Sequence, residues 1–136
     1  GVVGINSAVE VDLYGNVNAT HIRGTRVVNG IGGGGDFARN CRLGIVTLPS
    51  TAVEGDVSRI VPLTPHVDHT EHDASVVVTE HGVADLRGRS PRERAEALTA
   101  VADPAFREDL ERYRQRAASG GGNTPHDLES AFDWTR

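Results

Sequence analysis

Three consecutive valines constrain this chain more than any other feature. Ser75-Val76-Val77-Val78-Thr79-Glu80 is its strongest strand signal, and the central residues suit burial on both faces of a sheet. Composition agrees. Only 4% of the 136 residues are aromatic, so valine and alanine carry much of the apolar content, and small β-branched side chains favour strands. A chain of this length fits one domain with a real core. The formal net charge is −5 with cations spread along the sequence, which leaves no nucleic-acid footprint. No apolar run approaches the ~20 residues of a membrane span, and no signal peptide is visible. A single cysteine, Cys41, excludes an internal disulfide framework and fits a reducing, cytoplasmic compartment.

Further strand signals fill the first half. Gly1-Val2-Val3-Gly4-Ile5-Asn6 reads as a buried strand with no lead-in, as if cut from something longer. Ala8 to Tyr14 alternates apolar and acidic residues, Gly15-Asn16 is a turn pair, and Val17 to Ile22 returns, which makes a hairpin. Asp36 is a possible N-cap for a short helix to about Leu43. Gly44 to Leu48 and Ser58 to Leu63 read as extended segments, with Pro62 marking an edge or an end. The second half reads as helices. Ser90-Pro91-Arg92-Glu93 combines an N-cap, a first-turn proline and a capping-box glutamate. Asp103-Pro104 opens a second helix, and Thr124-Pro125 a third, short one carrying Leu128, Phe132 and Trp134. Strands followed by three helices, with a helical tail over about 90–136, give an α/β or α+β domain.

Several segments have the residues for chemistry. In Asn29-Gly30-Ile31-Gly32-Gly33-Gly34-Gly35-Asp36-Phe37, five of nine residues are glycine. Dense glycine is entropically costly, so the run is either a bare backbone that lets a ligand reach peptide N–H groups or a structural turn. His66 to Asp73 packs three histidines and three acids into eight residues. It lacks HExxH or zinc-finger spacing, so a polar loop is expected and no metal is assigned; a metal-binding domain using His66, His69 and His72 is the alternative. Glu80 and His81 follow the valine strand at its C-terminal end, a functional location in open α/β sheets. Ion pairing with Asp85, Arg87 and Arg89 is the plainer reading. Glu10 and Asp12 share one strand face, either for acid–base work or, more commonly, as a solvated face. Cys41 has no identifiable catalytic partner and is expected to be a buried thiol.

Taken in order, these segments carry a resemblance. Ile5 through Asn18, the glycine run through Asn40, Leu48-Pro49-Ser50-Thr51-Ala52, Ser58 to Pro62 and Val78 to Gly88 resemble successive signatures of the acetyl-CoA hydrolase/transferase family, the class I type of CoA-transferase. The likeness extends to Thr124-Pro125-His126, and the block over His66–Asp73 resembles the succinyl-CoA:acetate branch.

The resemblance implies a fold of two similar α/β domains, with residues 1–136 forming the C-terminal segment of the second. It also implies covalent catalysis by a glutamate that becomes an acyl anhydride and then a CoA thioester. That glutamate falls upstream of the matched region, so this chain alone is expected to be inactive. By the match, Gly33 offers the backbone N–H that holds the thioester oxyanion. Asn29, Gly32, Gly33 and Gly34 fall at CoA-contacting positions. Val53 stands where the family commonly has lysine, which weakens the cationic contact to CoA, and Gly34 replaces a more usual serine. Coenzyme A is implied as substrate, with no covalently bound cofactor. Expected partners are an acyl-CoA, a small carboxylate, the N-terminal part of the enzyme and further copies in a homo-oligomer. An acetyl-CoA hydrolase and a non-catalytic CoA-binding or assembly module are the alternatives.

Overall fold

The computed structural model describes residues 1–23 and 25–135, with the side chains of Phe37 and Ala38 outside the described set. In chain order the elements are β1 (Val3–Ser7), β2 (Glu10–Asp12), β3 (Val17–Asn18), β4 (His21–Ile22), β5 (Arg26–Val27), α1 (Gly34–Asn40) and β6 (Leu43–Thr47). There follow β7 (Thr51–Ala52), β8 (Val57–Ser58), β9 (Ile60–Val61), β10 (Val76–Thr79), β11 (Gly82–Asp85), α2 (Pro91–Val101) and α3 (Pro104–Ala118).

The main sheet has the order β1-β6-β10-β11. Strands β1, β6 and β10 run parallel, with Ile5 opposite Ile45 and Ile45 opposite Val76. Strand β11 turns back antiparallel on β10 at the Glu80-His81 corner. The valine strand is buried as its sequence requires: Val76, Val77 and Thr79 are buried and Val78 is half-buried. Helix α1 packs on β1 and β6, and α2 packs on β10 and β11. A second sheet, β3-β2-β9, places Val11 opposite both Val17 and Ile60. All three of those side chains lie in the core.

The helix start signals act as the sequence predicts. Ser90 accepts from the Glu93 amide while the Glu93 carboxylate accepts from the Ser90 amide, a reciprocal box that satisfies two orphan donors. Asp103 accepts from the Ala105 amide. Helix α2 buries Ala95, Leu98 and Val101, and α3 buries Leu110, Tyr113 and Ala117. The Thr79 hydroxyl donates to the Val101 carbonyl at 2.7 Å, which ties the end of β10 to the end of α2.

Four expectations need correction. No third helix forms: residues 124–127 are irregular and residues 128–135 are turns and a bend. Tertiary bonds claim that segment instead, because the Pro125 carbonyl accepts from Tyr14 and His126 bonds Tyr113. Only Trp134 of its large apolar side chains is buried, while Leu128 and Phe132 are exposed. Helix α1 starts at Gly34, so Asp36 sits in its first turn, paired with Arg39 at 2.9 Å, rather than capping it. Strand β1 is an edge strand, and Val3 and Ile5 are exposed on its outer face rather than buried. Cys41 is only half-buried.

Candidate functional site

The glycine run lies at one end of the parallel sheet. It links the β4–β5 hairpin to α1, and α1 leads directly into β6. A Cβ built at Gly34 would come 3.4 Å from Asn6 Oδ1, near the C-terminal end of β1. The loop therefore borders the carboxyl edge of the strands, where open α/β sheets place their ligands. The glycines serve separate needs. Gly32 has φ +58°, which side chains disfavour, while at Gly30 nothing lies within 4 Å of a Cβ position. At Gly35 a Cβ would meet the His69 ring at 3.2 Å, tighter than ordinary contact. Asn29, Gly30, Ile31, Gly32 and Gly33 are all exposed, so the backbone a ligand would need is open to solvent.

His69 forms the floor of this loop. It is buried, and its Nδ1 has no hydrogen-bond partner. Its backbone is pinned to β3, since the Val17 amide donates to the His69 carbonyl at 2.8 Å. The start of the run is pinned too: the Thr20 carbonyl accepts from the amides of Val28 and Asn29 at 2.7 and 3.4 Å. So the run is held at both ends and bare between them.

The acidic and histidine-rich loop does not gather His66, His69 and His72. His72 is exposed, and His69 faces the glycine run. His66 instead meets His21 across the chain, ring centroids 3.7 Å apart, with Asp68 Oδ1 3.0 Å from His66 Nε2. Asp68 also accepts from the Ala19 amide and the Thr20 hydroxyl. Burial pushes its carboxyl up, but these bonds outweigh burial and hold it below the ordinary range. Sequence reading missed His21, because its partners lie far along the chain.

At the end of β10, the Glu80 carboxylate accepts from the Ser50 amide at 2.7 Å. Hydrogen bonding from Ser50 holds Glu80 below its ordinary value. This clamps the segment after β6 to the strand end beside it. The ion pair expected here forms one strand later: Arg87 grips Asp85 at 2.8 and 3.0 Å and lowers its carboxyl to about 2. His81 Nε2 lies 3.4 Å from Asp103 Oδ2.

Asp12 departs from the expected solvated face. It is fully buried and accepts from the Tyr14 and Asn16 amides at 3.0 Å, from the Asn16 side chain and from Thr64. Desolvation pushes it up more than these bonds pull it down. Glu10 is partly buried and accepts from Asn18 at 3.0 Å. Asp12 is thus committed to holding a turn, which leaves it poorly placed for acid–base work. Val53 sits at the exposed tip of the β7–β8 hairpin with φ +53°, a strained value for a β-branched residue.

A bare, exposed loop at the carboxyl edge of a mostly parallel sheet defines an α/β domain with a candidate ligand loop. Residues 1–114 match the family described as acetyl-CoA hydrolase/transferase C-terminal domain, and the chain belongs to that family. It is 57% identical to the succinyl-CoA:acetate CoA-transferase of Clostridium kluyveri, covering 98% of this chain and 25% of that protein. Identity to the propanoyl-CoA:succinate CoA transferase of Escherichia coli K12 is 47%, over all of this chain and 27% of the relative. Among solved structures, RipA from Yersinia pestis superposes with TM-score 0.78 at 35% identity, covering 85% of this chain and 27% of RipA. The chain thus spans about a quarter of the length of these relatives. Among the described residues, no helix is long and apolar enough to cross a membrane.

Proposed function

We propose that residues 1–136 are the C-terminal segment of the second α/β domain of a cytoplasmic CoA-transferase. That enzyme moves CoA between an acyl-CoA, succinyl- or acetyl-CoA, and a carboxylate such as acetate. The observation that carries this reading is the open glycine run at the carboxyl edge of the sheet, in a chain 57% identical to a succinyl-CoA:acetate CoA-transferase.

In the proposed reaction, an upstream glutamate carboxylate attacks the thioester carbonyl. The C–S bond breaks, CoA leaves as thiolate, and an acyl-glutamyl anhydride remains. The thiolate then attacks the glutamyl carbonyl and expels the first carboxylate, leaving a glutamyl-CoA thioester. The acceptor carboxylate reverses these steps and departs as the new acyl-CoA, restoring the glutamate. Each addition places negative charge on a carbonyl oxygen. The Gly33 N–H is the assigned donor to it, and a position without a side chain lets that oxygen approach. Asn29, Gly32 and Gly34 line the path of CoA, and Val53 replaces the cation expected there. His69 beneath Gly34 and Gly35 keeps the loop from sinking into the sheet.

The glutamate lies outside this chain, so the segment alone is inactive and works with the N-terminal part in a homo-oligomer. Coenzyme A enters as substrate. Incubating the full-length enzyme with succinyl-CoA and acetate yields acetyl-CoA on this reading, while residues 1–136 alone yield none. Thioester loss that ignores acetate assigns the protein to the hydrolases that share the family name, with water as final acceptor. No thioester chemistry at all leaves a CoA-binding module.

A further inference from the structure

The contact between His21 and His66 is unexplained by the proposed transfer chemistry. Each of His21, His66 and Asp68 offers a ligand atom, and the three atoms lie within 4.8 Å of one another. We propose that these side chains form a binding site for one divalent transition-metal ion, zinc by the character of the ligands. Two imidazoles and one carboxylate are a donor set that zinc accepts with a fourth position open to water. The separation of His66 Nε2 and Asp68 Oδ1, 3.0 Å, is close to the roughly 3.3 Å between ligands of a tetrahedral ion with bonds of about 2.0 Å. The ion would replace the proton between them.

The surroundings already orient the ligands. The Ala19 amide and the Thr20 hydroxyl both donate to Asp68 Oδ2 at 2.7 Å, which leaves Oδ1 toward His66. The Thr20 oxygen also lies 2.6 Å from His21 Nδ1. Its one proton goes to Asp68, so His21 Nδ1–H donates to Thr20 and the lone pair of that imidazole is at Nε2. Such outer partners fix tautomer and ring position at metal sites. His21 and His66 are both half-buried, so side-chain rotation has room to close the remaining gap.

The site also meets a local need. Strands β4 and β5 have two residues each, and Ile22 and Val27 are exposed, so packing gives this hairpin little support. An ion bound by His21 would clip the hairpin to the loop bearing His66 and Asp68. Thr20, which joins the two, carries the carbonyl that holds the start of the glycine run. This inference does not depend on the proposed transferase activity.

Cobalt titration of the untagged, chelator-stripped protein tests it, followed by displacement with zinc. One equivalent of cobalt with the visible bands of a four-coordinate ion is expected. His66→Ala removes the bands, and Thr20→Val weakens binding by about 10–100-fold. His72→Ala, at an exposed histidine of the same loop, leaves binding unchanged. Wild-type protein that takes up no cobalt overturns the site, whatever the variants do. Uptake that survives His66→Ala but is lost with His72→Ala overturns it as well.

Discussion

Residues 29–33 are exposed throughout and consist mostly of bare backbone, whereas Asp12, Tyr14 and Tyr113 are buried and bonded on every side. The Tyr14 hydroxyl donates to the Pro125 carbonyl, and the Tyr113 hydroxyl bonds His126 and accepts from the Asp127 amide. The rings of Tyr14 and His126 meet edge to face at 5.1 Å. This junction fastens the last segment to the first hairpin and to α3. Among the described residues, the glycine run is bonded to Thr20 at its start and passes over His69 into α1 at its end. The difference separates two jobs. The junction supplies stability through buried, hydrogen-bonded groups, while the run keeps open backbone that a stable core would not tolerate.

Substitutions can break or sharpen that contrast. The largest stability loss is expected at the helix side of the core. Leu98 is fully buried on α2, and Leu98→Ala should cost roughly 2–5 kcal/mol in chemical denaturation while leaving catalysis by the folded full-length enzyme unchanged. Asp12→Ala leaves the Tyr14 and Asn16 amides and Thr64 without their acceptor, and about 1–3 kcal/mol is expected from the same measurement. Ser90→Ala removes one half of the capping box and should cost about 1 kcal/mol, with Ser90→Gly losing only a few tenths.

The smallest effect is a pH dependence. Burial holds His126 below its ordinary 6.5, so the unfolded chain binds that proton more readily than the folded one. Its contribution is fully present above 6.5 and is lost as pH falls through the lowered folded value. A stability profile of His126→Gln should be flatter than wild type in that acid window. Identical slopes would remove His126 from the junction's account.

Local signals made much of the fold legible. The valine run named β10, and Ser90-Pro91 and Asp103-Pro104 named both long helices, because caps and prolines act through neighbours in sequence. Thr124-Pro125 carried a similar start signal and failed, since Tyr14 and Tyr113, over 100 and over ten residues away, took the bonding groups of Pro125 and His126. Alternation put Glu10 and Asp12 on one strand but could not show that Thr64 and the turn would cover Asp12. The glycine run was visible in the sequence as a candidate ligand loop. Its backing by His69, and the meeting of His21 with His66, depend on register between distant segments: Thr20 and Asp68, which bond each other, are 48 residues apart.

The central claim is that the bare run serves the reaction while the rest of the segment holds the fold. Turnover of succinyl-CoA with acetate by full-length Gly33→Val, with thermal melting recorded in parallel, tests it most directly. A fall in kcat of about 10²–10³-fold with an unchanged melting temperature is the predicted result. A rate equal to wild type would contradict the account.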